Sequence, residues 1–378
     1  MKWETRLLGE LTNIKTGKLN ANAAVEGGRH PFFTCSRETY AIDEYAFDCE
    51  AILLAGNNAV GDFNVKHYKG KFNAYQRTYV ITIKNETEVL YRFLYIQIQM
   101  ALEKFKKQSV GAGTKFLKIG MINSLVVSTP PIEEQKRIVA ILDQAFADIE
   151  KARATAEKNL KNARELFDSY LQQVFSQGGE GWVEKKIGDV TDLARGHNPP
   201  KSKFIYEPRE GYVRFYQIRD GKSDKHAVYV PSSPKLHYVT KDDILMVAYR
   251  HVGGAFRGVE GAFNVALCKI TNKDRKTLHD DFLFHLIPSS FIKGELLKAS
   301  ERSLIPSMSV KHLASLSIPI PPPQDQDEIV RKINSMERKC KLLESVHQSK
   351  VNALDELKKS ILQKAFSGEL TKSKGIAA

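Results

Sequence analysis

The chain has 378 residues, 42% of them hydrophobic, and a formal net charge of +13. That apolar fraction supports packed cores and argues against wholesale disorder, and no run approaches the ~18 consecutive apolar residues of a membrane helix. Cys35, Cys49, Cys268 and Cys340 are too few and too scattered for a disulfide framework or a zinc site. The charged start Met1-Lys2-Trp3-Glu4-Thr5-Arg6 lacks a signal-peptide core, so a cytoplasmic protein is expected.

From the N-terminus, residues 1–130 read as a mixed α and β unit. Ala51-Ile52-Leu53-Leu54 and Tyr79-Val80-Ile81-Thr82-Ile83 are strand-like runs bounded by Gly and Asn turns. Leu90 to Lys107 has the spacing of an amphipathic helix. Residues 131–178 then read as one long helix. Pro131 suits its start, where a missing amide hydrogen costs little, and apolar residues follow 4,3,4,3 spacing through Ile138, Leu142, Ala145, Ile149, Ala152, Ala156, Ala163, Leu166 and Tyr170. Residues 179–322 form a second mixed unit, with strand-like Ile244-Leu245-Met246-Val247 and Val265 to Ile270 and a short helix around Phe282–Ile287. Residues 323–372 repeat the long helix through Ile329, Ile333, Met336, Cys340, Leu343, Leu354, Leu357 and Ile361, leaving a tail at 373–378. Cys340 on this stripe reads as a buried reduced thiol.

The chain is written twice. Trp3-Glu4-Thr5-Arg6-Leu7-Leu8-Gly9-Glu10-Leu11-Thr12, with Gly17 following, recurs as Trp182-Val183-Glu184-Lys185-Lys186-Ile187-Gly188-Asp189-Val190-Thr191, with Gly196 following. Pro131, Gln135 and Ile138-Val139 recur as Pro322, Gln326 and Ile329-Val330, and that offset holds without a gap to Phe175 and Phe366. Each copy is a variable unit followed by a segment of fixed length, so the fixed part acts as a ruler. The seam signals a coiled coil of roughly 65 Å. Polar Asn159, Lys350 and His347 interrupt it, as register-fixing residues do. Antiparallel pairing of the two helices would place the units at opposite ends of the rod; homodimerisation through the same heptads is the alternative. Charge follows the same division. Residues 1–130 hold 17 Lys+Arg against 12 Asp+Glu and residues 179–322 hold 22 against 16, whereas both helices are nearly neutral. Two basic units suit a polyanion, most simply nucleic acid.

Catalytic signatures fail in specific places. Gly56-Asn57-Asn58-Ala59-Val60-Gly61 has phosphate-loop spacing, but Asp62 stands where the lysine belongs and would repel phosphate. Asn198-Pro199-Pro200 is followed by Lys201 rather than the aromatic residue that would stack on a base, and reads as a polar turn. Gly111-Ala112-Gly113-Thr114 lacks the dinucleotide pattern. No zinc pair, nucleophile elbow or acidic metal cluster is found, so no catalytic or metal residue is assigned.

Two variable units, each closed by Pro130-Pro131-Ile132-Glu133-Glu134-Gln135 or Pro321-Pro322-Pro323-Gln324-Asp325-Gln326 ahead of a long helix, resemble the specificity subunits of Type I restriction-modification systems. Phe72-Asn73-Ala74-Tyr75-Gln76-Arg77-Thr78-Tyr79-Val80 is similar to a phrase of that family's target-recognition domains, and Leu362 to Leu370 to its closing helix end. The resemblance implies an α+β fold: two target-recognition domains, two long helices as an antiparallel coiled coil, and an internal pseudo-twofold repeat. It implies a non-catalytic subunit whose domains each read one half of a split, asymmetric double-stranded DNA site. The helices would set the spacing and dock two adenine-N6 modification subunits, which would bind S-adenosylmethionine; this chain would bind no cofactor. Motor-nuclease restriction subunits would complete the complex. A stand-alone architectural or regulatory DNA-binding protein is the other reading, and a scaffold without DNA would leave the basic units unexplained. Arg reads guanine and Asn or Gln reads adenine in the major groove. On that basis the candidate DNA-binding residues are Tyr75, Gln76, Arg77 and Lys115 in the first unit, and Arg250, His251, Arg257, Arg302 and Ser303 in the second.

Overall fold

The computed structural model describes residues 3–221, 223–250, 252–300 and 307–371. They divide into two compact units, residues 1–154 with 352–378, and residues 155–351.

In the first unit, a six-stranded sheet is built from β1 (Thr12–Thr16), β2 (His30–Phe33), β3 (Tyr40–Ile42), β4 (Phe47–Ala55), β6 (Val65–Ala74) and β7 (Thr78–Ile83), in the order β1-β7-β4-β6-β2-β3. The short β5 (Asn57–Asn58) pairs instead with β8 (Lys115–Phe116). All pairings are antiparallel except β2 with β6, where Phe32 lies beside Asn73. Ile52 and Leu54, two residues apart on β4, both face the main core, as the two-residue period of a strand requires. The expected helix at 90–107 is two helices, α1 (Tyr91–Met100) and a shorter one over Leu102–Gln108, broken at Ala101. The core gathers Ile52, Leu54, Ile81, Phe93, Leu94 and Phe105 with Ile138 and Leu142 from α2 (Ile132–Gln177).

The second unit repeats this plan with shorter strands. β9 (Thr191–Arg195), β16 (Leu267–Asn272), β13 (Ile244–Val247) and β14 (Ala255–Arg257) form one sheet in that order. β11 (Tyr229–Pro231), β10 (Tyr212–Tyr216), β15 (Gly261–Phe263) and β12 (Tyr238–Val239) form the other. Here too one pair is parallel, β10 with β15, where Phe215 lies beside Ala262. Helix α3 (Asp280–Leu286) takes the place of α1 and packs Phe282 into a core that includes Val330 and Ile333 of α4 (Pro323–Phe366). The strand expected from Val265 begins only at Leu267. Val265 and Ala266 stand in the turn before it.

Each unit contains the first part of one long helix and the last part of the other. In the first unit Glu150 meets Lys358 at 2.8 Å and Arg153 pairs with Asp355; in the second, Arg164 meets Glu344 at 3.0 Å. In the first unit numbers fall along α2 as they rise along α4, and in the second Phe175 shares a core with Val330 and Ile333 beyond the Arg164–Glu344 pair, so the paired segments are antiparallel in both. The heptad reading needs one correction: Leu166, Leu343 and Leu357 are 46%, 41% and 46% exposed. Beyond Ala163 the buried stripe of α2 runs through Phe167, Leu171 and Phe175, because that end of the helix fills the core of the second unit. The end of α4 does the same in the first unit with Ile361, Ala365 and Phe366. Cys340 is buried, as its place on the stripe implies.

Candidate nucleic-acid interface

In the first unit five loops converge. The turn Tyr75-Gln76-Arg77 between β6 and β7 lies at their centre. The backbone N–H of Tyr75 donates to the carbonyl of Phe33, and that of Gln76 to the carbonyl of Leu19, both at 2.9 Å. The N–H of Gly56 donates to the carbonyl of Arg77 at 2.8 Å. Asn57 and Asn58 of β5 lie opposite Phe116 and Lys115 of β8. Gly17 is required by this convergence: a Cβ there would stand 1.8 Å from the carbonyl oxygen of Ala74. The repeated glycine of the sequence is therefore a close backbone crossing.

The side chains of this cluster are polar or basic. The guanidinium of Arg77 lies 5.1 Å from the Phe116 ring centroid, a cation–π contact that orients the group over its aromatic face. Gln76 donates its side-chain N–H to Oδ1 of Asn20 at 2.8 Å. Arg37 pairs with Asp62 at 2.7 Å and holds that carboxyl below its usual range. Lys66 donates to the carbonyls of Ser36 and Glu38 and so fixes the neighbouring loop; burial pushes its amine pKa down. The segment with phosphate-loop spacing is a turn in which Asn58 Oδ1 accepts the N–H groups of Val60 and Asp62 at 2.9 Å.

The second unit repeats the backbone of this cluster with other side chains. Asn264 N–H donates to the carbonyl of Tyr216 at 3.0 Å, and Ala248 N–H to that of Ala266 at 2.9 Å. A Cβ on Gly196 would stand 2.2 Å from the carbonyl oxygen of Asn264. Asn198 accepts the N–H of Val265 at 3.2 Å, so the Asn-Pro-Pro segment is a polar turn. Tyr249 bridges to Ser307 as Asn57 does to Phe116. Arg250, next in line, has φ +64°, which a non-glycine residue adopts at a cost and which turns it out of the strand path.

Of the sequence candidates, Tyr75, Gln76, Arg77 and Lys115 thus share one cluster, and Arg250 occupies its counterpart in the second unit. Arg257 does not join Arg250. It pairs in register with Ile244, at the other end of the β13–β14 hairpin, where it meets Asp281 at 2.5 Å and stacks 4.5 Å from the Phe284 ring centroid. His251, Arg302 and Ser303 lie outside the described residues. Asn20, Asn57, Asn58, Asn198 and Val265 also belong to these loops and escape a search for basic residues. Gly17 and Gly196, repeated just before Asn20 and Asn198, are the signal that could have found two of them. Among the described residues no group of three or more His, Cys, Asp or Glu could hold a metal, and no helix is long and apolar enough to cross a membrane.

A family model described as the Type I restriction modification DNA specificity domain matches residues 1–157 and again residues 179–352. The chain belongs to the Type I restriction-modification specificity family. It is a specificity subunit, the non-catalytic component of such systems. It is 29% identical over 407 residues to the Type I restriction enzyme EcoDI specificity subunit of Escherichia coli, covering 98% of this chain and 89% of that one. To the MjaVIII specificity subunit of Methanocaldococcus jannaschii it is 20% identical over 305 residues, 74% and 70% of the two chains. Among solved structures, a chain from work on complex assembly and conformational transition of the type I R-M system aligns with a TM-score of 0.78, 19% identity and 98% of both chains. The HsdS subunit from Thermoanaerobacter tengcongensis aligns with a TM-score of 0.55, 19% identity and 97% of both. Both share the fold described above, with its two units and two long helices.

Proposed function

We propose that this specificity subunit recognises double-stranded DNA through the two loop clusters, each domain reading one half of a split site. The observation that carries the reading is a duplicated loop backbone bearing different side chains: Gln76-Arg77 in one copy and Val265-Ala266 in the other. A shared scaffold with divergent exposed residues is what two readers of different sequences need, so the site is asymmetric. Phosphate contacts from the basic domains supply affinity, and base-edge contacts from the loops supply sequence. The antiparallel helices set the distance between half-sites and dock two adenine-N6 modification subunits. Those subunits bind S-adenosylmethionine, this chain binds no cofactor, and motor-nuclease restriction subunits complete the assembly in the cytoplasm. The test is a methylation-aware genome sequence from cells with and without this gene. A split, asymmetric N6-methyladenine motif that disappears on deletion supports the reading; an unchanged methylome opposes it.

A further inference from the structure

The hydrogen bonds of the two clusters align them residue by residue, independently of the sequence repeat. Tyr75 and Asn264 each donate to the end of the parallel strand, at Phe33 and Tyr216, and the carbonyls of Arg77 and Ala266 each accept from the residue after the central strand, Gly56 and Ala248. The turns close alike, with Thr78 N–H donating to Tyr75 at 2.8 Å and Leu267 N–H to Asn264 at 3.1 Å. Gln76 and Val265 are therefore the same position. Both are exposed, and Val265 is 46% exposed although it is a branched apolar residue on a turn.

We propose that this position is the matched base-reading position of the two domains, with Gln76 reading an adenine and Val265 contacting the methyl group of a thymine. Asn20 occupies one N–H of the Gln76 amide. The remaining N–H and Oε1 lie in one plane as a donor and an acceptor, the pair that complements N7 and the N6 amino group of adenine in the major groove. Asn20 is held in its turn, with its carbonyl accepting from Ala23 at 3.1 Å, so it acts as a positioning residue for the Gln76 amide. Val265 offers no hydrogen bond from its side chain. The feature of a base edge that an aliphatic group recognises is the thymine C5 methyl. Its backbone N–H is taken by Asn198, which leaves the isopropyl group as the exposed element of the turn.

The inference rests on the reading that the chain recognises DNA, and the experiment separates the two. The full complex, carrying wild-type chain or Gln76→Ala, Asn20→Ala, Val265→Ala or Val265→Ile, is expressed in cells lacking other adenine methylation, and the methylated motif of each is determined. A wild-type complex that methylates no split motif defeats the functional reading itself. Given a wild-type motif, Gln76→Ala and Asn20→Ala are expected to relax the same single adenine position in one half-site, with discrimination falling roughly tenfold or more. Val265→Ala is expected to relax one thymine position in the other half-site toward cytosine, and Val265→Ile to retain it. Unchanged motifs, relaxation in the same half-site for both sets, relaxation at positions that are not A·T pairs, or loss of methylation by all variants would overturn it. If Gln76→Ala alone abolishes methylation, Asn20→Ala decides, since it leaves Gln76 in place.

Discussion

The side-chain oxygen of Gln135 accepts the backbone N–H of Leu90 at 2.9 Å, and Leu90 is the residue from which α1 begins. The same amide donates to the carbonyls of Glu88 and Pro130, both at 2.8 Å. Gln326 repeats all three bonds, accepting from His279 at 2.7 Å and donating to Thr277 and Pro321 at 2.8 and 2.9 Å. Both glutamines are fully buried. Each fastens the first turn of a long helix to the segment that starts the helix of its domain. This gives the repeated Pro-Pro…Gln phrase a physical meaning.

Gln135→Ala removes the partner of three backbone groups, the buried Pro130 carbonyl and the part-buried Leu90 N–H and Glu88 carbonyl, and a buried group left unpaired costs about 1–3 kcal/mol. A loss on the order of 3 kcal/mol in the stability of the first domain is expected. Urea unfolding in a Trp182→Phe background, where Trp3 alone reports, measures it. A loss below about 1 kcal/mol would mean that water replaces the amide.

Phe366 meets Phe93 at a centroid distance of 5.2 Å, and its repeat partner Phe175 meets Phe282 at 5.6 Å. Each domain is thus closed by the end of the helix that does not follow it in sequence. Phe175→Ala is expected to cost the second domain about 3–5 kcal/mol, the usual range for a buried phenylalanine. Phe366, only partly buried, should cost the first domain less. Hydrogen exchange in α3 and in α1 reads the two effects separately; acceleration of α1 by Phe175→Ala, with α3 protected, would contradict this assignment.

How much was legible depended on what kind of pattern carried each feature. The repeat, the long helices and the strand cores are legible because period and spacing are local properties of the chain. The crossing at Gly17 is visible only as a repeated glycine; the reason, the Ala74 carbonyl, is 57 positions away and supplied by folding. Arg77 and Lys115 stand out in the sequence because charge marks them. Val265 reads as strand because valine favours strands, yet the turn that Gly196 and Asn198 shape takes it out of the sheet. Arg257 resembles Arg250 in sequence, and only the hairpin register separates them.

Arg77→Ala is expected to weaken one half-site only, by about 1–3 kcal/mol if the guanidinium reads a base edge. Phe116→Ala should weaken the same half-site less, since it removes the ring on which Arg77 lies rather than the reader itself. Binding of the complex to duplexes mutated in one half-site or the other measures both. Equal losses for the two half-sites would indicate a phosphate contact instead, with a reduced salt dependence as its signature.

His285 ties stability to pH in the second domain. It is buried on α3, and its Nε2 lies 2.9 Å from Oδ1 of Asn334 on α4. Burial holds its pKa below the ordinary value of 6.5, and the Asn334 bond opposes that only in part. The unfolded chain therefore binds a proton more readily than the folded one. Stability is full above about pH 6.5 and falls as pH drops through that value toward the depressed folded pKa, below which the loss is constant. Urea unfolding of the second domain between pH 7.5 and 5, followed through Trp182 in a Trp3→Phe background, should show this decline, and a His285→Leu variant should flatten it. A variant that declines as steeply as the wild type would place the proton-binding group elsewhere.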